Sequence, residues 1–200
     1  MIAAPEAVLD FWFGTPGTAA DVAARQSQLW FGKSAAHDQL VTERFAETLI
    51  AAGRGELDNW ATTPRSLLAL IVVLDQFPHH IHRNHGQSFA YDAQSLALAQ
   101  GMITRGEDAH IEPIERVFVY LPLEHAESRA MQDLSVAHYE KLVAEANPVE
   151  RGLFDGFLDY AHKHHDVVAR FGRFPHRNEL LGRPSTAEEI EFLKQPGSRF

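Results

Sequence analysis

Fourteen residues, Arg170-Phe-Gly-Arg-Phe-Pro-His-Arg-Asn-Glu-Leu-Leu-Gly-Arg183, hold four arginines, a histidine, an asparagine and a glutamate. A guanidinium grips a carboxylate or phosphate through two parallel N–H donors. Arg173, Arg177 and Arg183, with Asn178, are therefore candidates for holding an anion, and His176 for acid–base work. The chain's net charge is -9, so its own carboxylates are equally available partners. Gly172 and Pro175 stop the preceding helix and fix these side chains on a turn. The run serves either as a polar network tying down the C-terminal segment or as a ligand site.

The helix before this turn carries a second signal. At roughly 100° per residue, Phe157, Leu158, Ala161, Val168 and Gly172 fall within roughly 60° of Phe154. His165 falls near the middle of that apolar face, and His162 and His164 flank it. A buried imidazole without a hydrogen-bond partner costs on the order of 1–3 kcal/mol. His165 is thus either a satisfied core histidine or a general base facing a cavity.

Its expected partners lie in Glu124-His125-Ala-Glu127, placed after Pro122 in the first turn of a helix, where the dipole favours carboxylates. Glu124 and His125 facing His165 and His176 can exchange protons near neutral pH. They can also lock two helices together, and the lock is the reading preferred. Asp75 and Gln76 end the most apolar helix. A buried Asp75 needs a cation, and Arg173 or Arg177 is the expected one.

Metal chemistry has little support. His162 and His165 stand three residues apart and can reach one ion, with Glu124 or His125 as a third ligand, but no His-Glu-x-x-His occurs. His79, His80, His82 and His85 lie in an expected loop. No cofactor is expected. Gly32-Lys-Ser34 resembles the end of a phosphate-binding loop, but Ser27 stands where the first glycine belongs. Neither a Gly-x-Ser-x-Gly elbow nor a dinucleotide fingerprint after a strand is present.

The elements that must position these residues are helices. Pro5 opens one that Gly14-Thr-Pro-Gly17 ends. A short helix spans about 18–30, and an amphipathic one about 34–52. Thr63-Pro64 caps a helix to about Gln76, apolar nearly all round from Leu67 to Leu74 and hence central. Residues 77–89 read as a loop. Helices follow at about 91–104, 112–121, 124–146, 149–172 and 185–194, the last opened by Ser185-Thr-Ala-Glu188 at capping-box spacing. The expectation is one all-α domain over 1–200, a helical array of about eight to nine helices. Phe77-Pro-His79 and Phe174-Pro-His176 echo each other, too briefly to define a repeat.

Two hundred residues, 45% hydrophobic, suffice for one core. The negative charge argues against nucleic acid and against an anionic membrane surface. Cysteine is absent, which removes thiol nucleophiles and thiolate metal sites. No signal peptide is visible, and the longest apolar run is far short of the ~20 residues of a membrane span. A cytoplasmic protein is the default expectation.

Val8-Leu-Asp-Phe-Trp-Phe-Gly14, Leu74-Asp-Gln-Phe-Pro78, Leu121-Pro-Leu-Glu-His125 and Arg170 to Asn178 resemble the bacterial domain-of-unknown-function family 924. Leu181 to Thr186 and Pro196 to Phe200 resemble it too. The resemblance implies an all-helical fold similar to tetratricopeptide-repeat domains and no established activity. The family reads Pro-Arg-Asn where this chain has Pro78-His79-His80. It has Ser where this chain has Ala126, which leaves no serine nucleophile there.

Two functions fit. One is a helical scaffold for a protein partner, with the Arg/His cluster as structural glue. The other is a small-molecule hydrolase or anion-binding enzyme using the same cluster on a small anion. Trp12, Trp30 and Trp60 offer a homodimer surface, but at helical spacing they read as core.

Overall fold

The computed structural model describes residues 1–199. Ten α-helices lie among them: α1 (Pro5–Phe13), α2 (Ala19–Phe31), α3 (Ala35–Gly53), α4 (Pro64–Asp75), α5 (Phe77–Ile81), α6 (Asp92–Thr104), α7 (Pro113–Glu124), α8 (Arg129–Glu145), α9 (Arg151–Phe171) and α10 (Ala187–Phe192). The described residues form no strand, and none of their helices is long and apolar enough to cross a membrane. The all-α reading holds. Eight of the helices have nine residues or more.

Local chemistry sets most helix starts. Pro5, Pro64 and Pro113 stand in first turns, where the missing N–H is no loss. The hydroxyl of Thr18 accepts from Asp21 N and that of Thr63 from Ser66 N. Gly172, at φ 70°, closes α9 in the left-handed conformation that glycine adopts at little cost.

The central helix is α4, buried from Leu67 to Asp75 and packed by α1, α3, α6 and α7. Trp12, Trp30, Phe77 and Phe118 stack edge to face beside it. Trp60 is buried as well, so all three tryptophans belong to the core. A smaller apolar cluster of Val167, Val168 and Phe174, backed by Phe171 and Phe192, holds the C-terminal segment.

Three boundaries differ from expectation. The histidine-rich stretch after α4 is not a plain loop but α5, followed by a 3-10 turn at Gly86–Phe89. Pro78 cannot continue α4 but fits the first turn of a new helix. That helix packs on α3, where Asp38 accepts from His80 Nδ1 at 2.9 Å and from Arg83 Nη2 at 2.6 Å. Pro122 does not divide α7 from α8 but lies inside α7, which runs on to Glu124. Tyr139 Oη on α8 donates to Val117 O, one residue before the Phe118 carbonyl that Pro122 leaves without its helical donor. The last capping box is Thr186 with Glu189, one residue later than read. Ser185 Oγ instead meets Asn178 Nδ2 at 3.0 Å.

The two Phe-Pro-His triplets each open a short helical turn, α5 and the 3-10 turn Pro175–Arg177.

Candidate functional site

The ends of α4 and α7 meet. Asp75, the last residue of α4, is 1% exposed. Its Oδ1 accepts from His125 Nδ1 at 3.1 Å and from Ser95 Oγ at 3.3 Å, and its Oδ2 from Gln76 Nε2 at 2.6 Å. The partner of Asp75 is thus His125, not Arg173 or Arg177. The helix ends explain why: His125 caps α7 just where α4 stops, whereas Arg177 is drawn to Asp92. Burial works against both charges, but the pair overcomes it. The His125 charge and hydrogen bond hold the Asp75 carboxyl below the usual range, and Asp75 raises the His125 imidazole. With Nδ1 committed to Asp75, 17% of the His125 side chain remains exposed.

His79 on α5 lies beside this pair, its ring 5.5 Å from that of His125 and 5.6 Å from Phe89. Burial, reinforced by the His125 charge, pushes it down to about 3, so it is neutral at ordinary pH. Asp92 opens α6 and accepts from Arg177 Nη1 at 2.9 Å. Burial lifts its carboxyl to about 6 against the pull of Arg177 and His125. The Arg177 guanidinium lies over the Phe89 ring at 4.5 Å and over the Phe174 ring at 4.7 Å. Three atoms of this group, His79 Nε2, Asp92 Oδ1 and Arg177 Nε, are buried without a hydrogen-bond partner in the protein. Each such atom costs on the order of 1–3 kcal/mol.

The other polar residues of the C-terminal turn are committed. Arg183 clamps Glu127 through bonds of 2.6 and 2.8 Å, and Phe174 N donates to the same carboxylate at 2.8 Å. Arg173 clamps Glu189 at 2.6 and 2.8 Å and holds its carboxyl down to about 2. Asn178 bridges Arg183 and Glu189. The Arg/Glu contacts thus secure the segment that carries Arg177. Gly86 lets that segment come close, since a Cβ there would lie 2.6 Å from Leu180 O.

The histidines of α9 are re-assigned. His164 is the buried one: its Nδ1 bonds to Tyr160 O at 2.8 Å and lies 2.9 Å from Glu124 Oε1. His165 is 22% exposed and meets Asp133 at 2.9 Å on α8. The buried stripe turns toward His164 because the far end of α9 packs on the C-terminal cluster of Val167, Val168 and Phe174. Glu124 lies at the C-terminal end of α7, where the dipole opposes a carboxylate. The Glu124–His164 contact compensates. His176, pushed down to about 3 by burial and by Arg177, sits 5.7 Å from Phe174, ring to ring. His162 is exposed. Among the described residues no three His, Asp or Glu side chains are grouped to hold a metal ion.

Of the candidate residues, the structure brings together Asp75, Gln76, His125 and Arg177. It places Glu124 with His164, His165 with Asp133, and Arg173, Asn178 and Arg183 in the outer clamp. Sequence reasoning missed Asp92, Ser95 and Phe89 and took His79 for a loop residue. The only available signal for Asp92 was its place at the start of α6.

Residues 8–197 match the family described as bacterial protein of unknown function, DUF924. The chain belongs to this family. A solved structure, a protein of unknown function, ATU0120, from Agrobacterium tumefaciens, superposes with a TM-score of 0.80 at 35% identity, covering 95% of this chain and 96% of that one. No curated protein matches the chain. The DUF924 match spans all the residues of the Asp75–His125 group.

Proposed function

We propose that the protein binds a small molecule over the Asp75–His125 pair and that His125 exchanges a proton with it. One observation carries this reading. A buried carboxylate holds His125 by Nδ1 and so fixes the imidazole, while part of the side chain remains exposed. Asp92 and Asp75 add support, because one fold holds two carboxyls with titrations moved in opposite directions, the pattern of an acid–base site.

The test is thermal unfolding of the wild type and His125→Gln against neutral polar compounds, phosphates, carboxylates and divalent metals. A compound at 100 times its Kd adds about 2.7 kcal/mol of stability. It should raise the wild-type Tm by several degrees and leave the variant unmoved. Such a compound is then followed for turnover, where loss of a proton-transfer group lowers the rate about 10²–10⁴-fold. A panel that shifts neither protein, or both alike, overturns the reading.

A second reading is a scaffold similar to tetratricopeptide arrays, binding a protein partner or a second copy of the chain. It rests on Phe31, 55% exposed and 6.1 Å from the Phe157 ring. Sedimentation of the wild type beside Phe31→Ser tests the dimer: a mass that is monomeric in both removes it.

A further inference from the structure

The three unpartnered atoms share a neighbourhood. His79 and Arg177 both pack on the Phe89 ring, the first edge-on and the second over its face. Asp92 is bonded to Arg177. His79 Nε2, Asp92 Oδ1 and Arg177 Nε are sealed from solvent, and folded proteins seldom leave such atoms unmet. Arg177 itself is 6% exposed. Its Nε–H can only donate, an ionised Asp92 oxygen can only accept, and a neutral imidazole nitrogen can do either.

The charges here are already answered. Arg177 faces Asp92, His125 faces Asp75, and Arg183 and Arg173 are each clamped by a glutamate. A phosphate or carboxylate would enter beside Asp75 and Asp92 with no spare cation among the site residues to receive it.

We propose, resting on the small-molecule reading above, that the site takes an uncharged planar amide: a carboxamide, urea or lactam group. Its carbonyl accepts from Arg177 Nε–H, and its N–H donates to Asp92 Oδ1 or His79 Nε2. Both an acceptor and a donor are required, so an ester or a ketone satisfies only half of the site.

The Nε–H signal of Arg177 in the 15N-labelled full chain, assigned by its loss in Arg177→Lys, reads this directly. The probes are acetamide, 2-pyrrolidinone and uracil, against acetate and inorganic phosphate. The amides should move the signal saturably and the anions should not. Arg177→Lys keeps the charge but lacks Nε–H, and should bind the amides at least tenfold more weakly by backbone amide shifts. Should that variant not fold, His79→Leu retains the arginine signal and should weaken binding severalfold.

Anions that move the arginine signal in place of amides, together with the His125 imidazole signal, overturn the ligand class and leave the small-molecule reading standing. If no probe moves the arginine signal while compounds of another class move His125, the amide proposal alone falls. If nothing moves either residue, both readings fall, and the three atoms are met by ordered water alone.

Discussion

Asp75 and His125 stand 50 residues apart in the chain and 3.1 Å apart in space. The contact exists because α4 and α7 end beside each other, and it leaves a signature in pH. His125 is raised, so its contribution is whole below its unfolded value near 6.5 and fades as pH climbs through the folded value. Asp75 is lowered, so its contribution is whole above roughly pH 4 and fades as pH falls through the folded value. The stability difference between wild type and His125→Gln should be largest between about pH 4 and 6.5 and shrink on both sides. Using the difference removes the titrations of groups that do not feel His125. A difference that stays flat from pH 4 to 9 by chemical denaturation contradicts the pairing.

His79 predicts an acid weakness. Its neutral, buried ring takes up a proton only near pH 3, whereas the unfolded chain does so near 6.5. Stability is therefore lost as pH falls through that interval, by an amount on the order of a few kcal/mol. His79→Gln should lose less stability than the wild type between pH 7 and pH 4.5, the remaining loss belonging to His176, which burial also pushes down to about 3. Parallel acid dependence in the two proteins would falsify the burial argument.

The re-phasing of α9 separates two neighbours. His164→Ala takes the imidazole away from buried Glu124, which keeps the Tyr139 hydroxyl, and should cost about 1–3 kcal/mol. His165→Ala removes only contacts to exposed Asp133 and Asp166, and should fall within about 0.5 kcal/mol of wild type. Urea titration of the two variants decides it, and the reverse order would restore His165 to the core.

These cases show what the sequence made legible. Helices and the central place of α4 were readable, because caps, first-turn prolines and apolar runs act locally. The His164 burial was not, since a helical wheel fixes spacing but not which neighbour the far end of α9 meets. Pro122 misled for a related reason: packing by α8 tolerates a proline that an isolated helix would reject. Asp75, Gln76, His125 and Arg177 were found as residues with chemistry to offer. Their pairing was missed, because contacts at long chain separation leave no trace in local pattern. Asp92 looked like any acid at a helix start.

The clamp of Arg183 on Glu127 should show strong coupling. Arg183→Ala should cost about 1.5–3 kcal/mol, the range for hydrogen bonds to charged groups. Glu127→Ala should cost more, because Phe174 N loses its acceptor as well. A double-mutant cycle by urea unfolding is expected to give a coupling above about 1 kcal/mol. Additive losses would mean that the two side chains act independently.

All three tryptophans lie in the main core, and none lies in the chain beyond Gly172. Intrinsic fluorescence therefore watches the central helices and is blind to the segment that delivers Arg177. Amide hydrogen exchange at Phe174 and Thr186 sees what fluorescence cannot, since both amides donate to carboxylates of the clamp. If the segment detaches below the global transition, the two probes will report different midpoints, and the protein will unfold in two acts rather than one.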